Sequence, residues 1–173
     1  MASIIKANQL QDFGGNSIIT SDGAGNLTTQ KTLYPAFEAH STGNQDVSDA
    51  TATKVEFQTE VFDTNNMYDN SRFTPTVAGK YFIYAGVNSY AGGSADLVSA
   101  DLSIYKNGSL YRQNYHNMTG NPGFAFGTPI SAILIMNGTS DYVEIYGAVD
   151  GNSAGNEKFF TDNNYFGAYR IGS

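Results

Sequence analysis

Apolar residues in this chain recur with a period of two, the repeat of a strand with one buried face. Residues 55–61, Val-Glu-Phe-Gln-Thr-Glu-Val, alternate in this way, and residues 142–149 do so again. Residues 36–40 and 73–77 read as shorter apolar segments, and Gly79 opens a long strand over 81–90. Residues 101–105 and 109–115 predict a hairpin turned at Asn107-Gly108, a pair that favours positive φ at both central positions. Residues 130–136 are almost continuously apolar, which predicts a strand buried on both faces. Asn137-Gly138 turns the chain once more, and 165–171 reads as a last strand.

The intervening stretches are turn material. Residues 41–53 are polar, 63–71 are dense in Asn and Asp, and 118–127 are punctuated by Gly and Pro. Ala91-Gly-Gly-Ser94 and residues 150–156 read as further loops. Eight or more short strands spaced like this predict an all-β sandwich or barrel. No helix of useful length and no internal repeat interrupts the pattern.

Residues 1–35 differ. Their apolar residues come in small groups, Ile4-Ile5, Leu10, Phe13, Ile18-Ile19 and Leu27, between Gln, Asn, Gly and Ser. So little hydrophobic surface does not offset the entropy of ordering some thirty residues. The segment is therefore either a frayed tail or an arm that folds against a partner. The regular placing of Ile, Leu and Phe favours the arm, followed by a globular domain over 36–173.

Composition narrows the picture. The chain has 173 residues, enough for one domain with a substantial core and an appendage. Charged residues are only 14%, while 12 Tyr and 11 Phe supply much of the apolar bulk and argue against disorder. The net charge of −7 includes no cluster of Lys and Arg able to displace counterions, so nucleic acid is not an expected partner. Cysteine is absent, which removes disulfides and thiolate metal sites. No apolar run reaches signal-peptide length near the start or membrane-spanning length elsewhere. The expectation is a soluble protein, not inserted in a membrane and not exported by that route.

Candidate chemistry is sparse. No Gly-x-Ser-x-Gly elbow exists, and His40 and His116 have no metal-ligand spacing. Both are expected to be surface or loop residues. Glu56 and Glu60 would share a strand face, but a solvated one rather than a cleft for glycoside hydrolysis. Residues 150–157 offer oxygen ligands and glycines like half of a calcium loop, yet Ala154 and Thr161 occupy positions that want acidic or amide groups. No metal, no cofactor and no enzymatic activity are expected. Asn26, Asn107, Asn117 and Asn137 stand in glycosylation sequons, which coincidence explains in a chain so rich in Asn.

Gly79-Lys-Tyr-Phe-Ile-Tyr84 and Tyr165-Phe-Gly167 resemble matching strands of the tumour necrosis factor superfamily. Residues 57–63, 73–81 and Tyr105-Lys-Asn-Gly108 resemble the related globular head of the first complement component. The likeness covers about residues 36–171, in the right order. It departs at Ile83 and Ala85, where aromatics are preferred, at the short interval from Tyr68 to Phe73, and at Ser140, where a glycine is usual. The resemblance implies a jelly-roll sandwich that associates as a homotrimer. Both faces of the 81–87 strand are apolar, Tyr81, Ile83, Ala85 and Val87 on one and Phe82, Tyr84 and Gly86 on the other. A monomeric sandwich with one wet face should not show this. By similarity, Phe82, Tyr84, Tyr165 and Tyr169 would line the subunit contact. The competing reading is that these tyrosines decorate a sheet covered by loops.

Residues 4–28 resemble the leaders of structural proteins from tailed bacteriophages, a low-complexity likeness. Together the two resemblances imply a virion protein, assembled in the host cytoplasm. It would be a trimeric capsid decoration protein held to the major capsid protein or another virion protein through Ile4, Ile5, Leu10, Phe13, Ile18 and Ile19. The alternatives are a head- or tail-fibre tip touching host glycans through loops 41–53, 91–95 and 118–127, a secreted lectin-like adhesin and, weakest, a hydrolase.

Overall fold

The computed structural model describes residues 7–29, 35–92, 96–152, 155–160 and 163–173. Ile4, Ile5 and parts of the loops at 91–95 and 150–156 lie outside the described residues. The chain divides into two compact units, Met1–Tyr34 and Pro35–Ser173. The first contains an antiparallel meander of β1 (Gln9–Gln11), β2 (Ser17–Ser21) and β3 (Leu27–Thr29). Asp12 and Asp22 hold its two turns, each accepting from the amide nitrogens of an Asn four residues on.

The second unit contains, in chain order, β4 (Ala36–His40), β5 (Gln45–Asp46), β6 (Thr53–Lys54), β7 (Thr59–Asp63), β8 (Tyr68–Asp69), β9 (Arg72–Phe73), β10 (Gly79–Tyr90), β11 (Leu97–Lys106), β12 (Ser109–Asn117), β13 (Ala125–Met136), β14 (Val143–Gly151), β15 (Lys158–Phe159) and β16 (Tyr165–Gly172). They form two antiparallel sheets. In the first, β10 lies between β13 on one side and β16 on the other, and β4 and β7 continue beyond β16. The far end of β10 pairs with β15, and β15 with β5. The second sheet runs β12-β11-β14-β9-β8, with β6 on β14.

Alternation drives the packing. Tyr81, Ile83, Ala85 and Val87 of β10 point into the core, against Leu102 and Ile104 of β11 and Val143 and Ile145 of β14. Aromatic rings fill one end. Phe37 stacks between Tyr68 and Phe73 at 4.8 Å each and meets the edge of Phe166 at 4.9 Å. Two core phenols have partners: Tyr68 donates to the Phe57 carbonyl at 2.6 Å, and Tyr81 to the Val77 carbonyl at 2.8 Å. Burial pushes both phenols up to about 12. The Asn107-Gly108 turn has φ of 53° and 76°, as the sequence predicts for a tight hairpin.

Two expected strands differ in the structure. The segment 55–61 is not one strand, because β7 begins only at Thr59. Val55 and Phe57 are buried and Glu56 exposed, but residues 55–58 are held piecemeal. Val55 N–H donates to the Ile145 carbonyl, Glu56 N–H to Gln45 Oε1 and Phe57 N–H to Ser71 Oγ. Alternate side chains reach the core without a ladder, so Glu56 and Glu60 do not share a strand face. Val61 and Phe62 are exposed.

Residues 130–136 are likewise not buried on both faces. Strand β13 starts earlier, at Ala125, and buries Ile130, Ala132, Leu134 and Met136 while Ile133 and Ile135 are exposed. The reason is that Ile133 and Ile135 fall on the sheet's outer face, beside Phe82 and Lys80, which the second sheet does not cover; β13 itself is an edge strand, paired only with β10. Pro129 fits such an edge, since its missing N–H falls on the unpaired side. That side is closed by side chains: Asn114 donates to the Pro129 carbonyl at 2.7 Å, Tyr111 to Ile133 at 3.2 Å and Lys106 to Ile135 at 2.8 Å.

The outer face of the second sheet carries a charged cluster anchored on buried Glu144, beside the rings of Tyr105 and Tyr146. Glu144 Oε1 accepts from Lys54 Nζ at 2.8 Å and Arg72 Nε at 3.0 Å. Burial pushes the Glu144 carboxyl up, but the hydrogen bonds and charges of Lys54 and Arg72 outweigh this and leave it below its ordinary 4.5. A carboxyl lowered in the folded state contributes stability that is fully present above that value and is lost as pH falls below it, through the lower value of the folded state. Unfolding free energy should therefore fall as pH drops below about 4.5, with Glu144 among the causes. Glu144→Gln should lower stability by about 1–3 kcal/mol at neutral pH and flatten the acid limb, both read from urea unfolding across pH. Phe37→Ala should cost about 3–5 kcal/mol in the same assay, from lost contacts and the cavity left behind.

Candidate interaction surface

The outer face of the first sheet is unusual for a sandwich because it is also apolar. Its side chains follow from register. Phe82 pairs with Tyr169 on one side and Ile133 on the other, and Tyr84 with Gly167 and Ser131. Gly86 lies between Tyr165 and Pro129, and Ala36, Glu38 and His40 of β4 continue the three rows. Phe62 extends the Glu38 row on β7. The four residues singled out from the sequence, Phe82, Tyr84, Tyr165 and Tyr169, thus lie on one face. Their rings touch as a chain: Phe82 to Tyr169 at 5.4 Å, Phe82 to Tyr84 at 6.0 Å and Tyr84 to Tyr165 at 6.2 Å between centroids.

Glycine allows this layer to lie flat. A Cβ on Gly86 would fall 2.6 Å from the Tyr165 ring, and one on Gly167 would collide with the ring of Tyr84. Each tyrosine therefore covers a glycine on the neighbouring strand, replacing the side chain that glycine lacks. In the single chain Phe82 and Tyr84 are half-buried, while Tyr165 is 40% and Tyr169 45% exposed. Ile133 at 53% and Ile135 at 69% enlarge the patch. Two hollows of about 220 and 320 Å³ flank Tyr165, one lined by Gly86, Asn88 and Pro129, the other by Tyr84, Pro129 and Ser131.

Lys80 puts a charge at the end of this face, beside Ile135, and Glu38 one within it. Tyr84 Oη donates to Glu38 Oε2 at 2.7 Å. Burial first, and then the Glu38 carboxylate, hold the Tyr84 phenol above its ordinary range, so it stays a neutral donor at any physiological pH.

The other candidate residues are scattered. Leu10, Phe13 and Ile18 are exposed in the first unit, and Ile19 is half-buried. His40 is half-buried on β4 of the first sheet, and His116, on β12 of the second, packs at a tilt against Phe126 with centroids 4.4 Å apart. Among the described residues, no three His, Asp or Glu side chains gather as a metal would require. Sequence reasoning missed Ile133, Ile135, Pro129 and Glu38 as members of the apolar face. The signal was present in the 130–136 run, whose second apolar face is this outer surface rather than a second core.

The head has the jelly-roll fold of complement globular domains and tumour necrosis factor ligands. The globular domain of zebrafish complement 1qA protein superposes at a TM-score of 0.54 with 16% identity, over 79% of this chain and 97% of that domain. Murine APRIL matches at 0.58 with 10% identity, over 80% and 99%. The Eiger TNF of S. frugiperda matches at 0.55 with 10% identity, over 81% and 92%. At such identity the likeness carries the fold alone. No family model and no curated protein matches the sequence.

Gly167→Val should lift the Tyr84 ring off the sheet and break its bond to Glu38. A fall in melting temperature of several degrees, with loss of the Tyr84 hydroxyl bond in a refined structure, is the expected outcome.

Proposed function

We propose that this protein is a non-enzymatic structural component that works as a homotrimer, joined through the outer face of its first sheet and attached to a larger particle by its N-terminal unit. The observation that carries the reading is the aromatic and aliphatic layer on a sheet face that a solitary sandwich would leave to water. Contiguous apolar surface of several hundred Å² on a soluble domain marks a contact with another protein. A second copy is the partner that best fits, since the same patch recurs on every copy and closed rings use such patches repeatedly. The fold shared with complement and tumour necrosis factor heads supports the choice of three.

The particle is a tailed-bacteriophage virion, with the trimer decorating the capsid. Support comes from the resemblance of residues 4–28 to phage structural leaders and from the separate first unit. That unit exposes Leu10, Phe13 and Ile18 and has no buried side chain among residues 7–26. Apolar side chains so displayed have a reason to seek a surface. In this reading the head projects from the shell, and attachment adds buried area between capsomers.

Light scattering on the eluting full-length protein should give three times 18.6 kDa. Tyr84→Asp, which puts an unpaired charge into the contact, should yield monomer with an unchanged circular dichroism spectrum. Monomeric wild type, or an intact Tyr84→Asp trimer, would sink the interface assignment. Deleting residues 1–34 should leave the trimer and abolish binding to purified particles, on which the full chain should be counted in hundreds of copies. A few dozen copies or fewer would place it on a fibre or tail instead.

A further inference from the structure

Away from the apolar face, the β8–β9 hairpin and the segment after it surround a cavity of about 480 Å³. Its lining is polar: Asn66, Asp69, Asn70, Arg72, Thr74 and Thr76, with buried Met67 as the one apolar member. The volume falls within the range of small-molecule sites. The proposed self-association and particle attachment use none of these residues.

The cavity walls are held from behind. Asp63 Oδ2 accepts from the backbone N–H of Met67 at 2.6 Å and of Tyr68 at 2.8 Å, and Thr74 N–H donates to the Met67 carbonyl at 2.7 Å. Lys54 Nζ donates to the Asn70 carbonyl at 2.8 Å and to Glu144, the buried carboxylate that also takes Arg72 Nε. The Arg72 guanidinium packs on the Tyr142 ring, 4.2 Å from its centroid. The backbone is committed too, with Asn66, Asn70 and Ser71 at φ of 51°, 48° and 54°, a conformation non-glycine residues adopt only where the surroundings hold it. The loop backbone and the Arg72 side chain are thus placed before a ligand arrives, which lowers the cost of ordering the site on binding.

Charge and hydrogen-bonding type narrow the ligand. Among the residues that line the cavity, Asp69 balances Arg72, so the lining presents no net charge to attract an ion. What it presents is planar groups with paired donors or acceptors, two carboxamides, a carboxylate and a guanidinium, together with two hydroxyls. Neighbouring hydroxyls on a ring, each both donor and acceptor, match that inventory. We propose that this cavity binds one pyranose unit of a glycan, with Asp69 and Arg72 gripping its hydroxyl pairs and Asn66, Asn70, Thr74 and Thr76 completing the contacts.

A ligand of about a dozen heavy atoms in an open polar cavity binds in the millimolar range, so the test is an NMR titration. The uniformly ¹⁵N-labelled full-length protein is titrated to about 50 mM with methyl α-D-glucopyranoside, methyl α-D-mannopyranoside, methyl β-D-galactopyranoside and N-acetylglucosamine in turn. At least one should shift the amides of Asn66, Asn70 and Thr74 saturably. Asp69→Ala and Thr76→Val, both exposed positions, should weaken that sugar about tenfold or more without changing the melting temperature or the oligomeric size. Arg72→Gln should do the same. Should it also unfold the protein by unbalancing Glu144, the other two variants still decide. Overturning results are no amide shift with any of the sugars, shifts that map away from the hairpin, wild-type affinity in Asp69→Ala and Thr76→Val, or displacement of the sugar by glycine or inorganic phosphate at equal concentration.

Discussion

Strand β10 sets the terms for everything around it, because it is apolar on both faces. Its inward row, Tyr81, Ile83, Ala85 and Val87, closes the core against the second sheet. Its outward row, Phe82, Tyr84 and Gly86, carries the aromatic layer. A strand of that kind leaves apolar area in water unless both sides are covered. One side is covered by the chain's own second sheet, and the proposed trimer covers the other. The neighbours on β13 and β16 obey the same rule, so the apolar layer is a property of the sheet rather than of a few residues.

The two sheets therefore differ in kind. The first has an outer surface of rings and isoleucines, with Glu38 as its interior charge tied to Tyr84. The second mixes ion pairs built on Glu144 with the rings of Tyr105, Tyr146 and Tyr115, and beside it lies the polar hairpin cavity. A self-associating head needs one surface that repels water and another that remains soluble. The division also separates the proposed self-association from the proposed sugar site, which uses no residue of the apolar face. The edge of β13 is managed separately. Its outward carbonyls at 129, 133 and 135 are taken by Asn114, Tyr111 and Lys106, which leaves less of a template for another strand to extend the sheet.

Much of the head was legible in the sequence because its information is local. Period-two alternation identified the long strand and its two faces, and Asn107-Gly108 identified a hairpin through the backbone conformation that pair prefers. The contrast between Phe82/Tyr84 and Tyr81/Ile83 could be read without coordinates, since successive side chains on a strand must point oppositely. The segment 55–61 misled for the same reason in reverse. Val55 and Phe57 do alternate with exposed neighbours, but side-chain and cross-sheet bonds from Gln45, Ser71 and Ile145 hold them, and no local pattern reports such bonds.

The order of apolar and polar residues by itself determined an all-β head, its turns and a second apolar face on β10. Those features depend on the geometry of adjacent residues. Only the tertiary structure decided that β13 is an edge whose Ile133 and Ile135 join the aromatic layer, that Gly86 and Gly167 lie beneath Tyr165 and Tyr84, and that Lys54, Arg72 and Glu144 meet behind the hairpin. Lys54 and Glu144 are ninety positions apart in the chain. Such groups come together through sheet order and register, which arise from the packing of the whole domain and leave no mark on any single stretch of sequence.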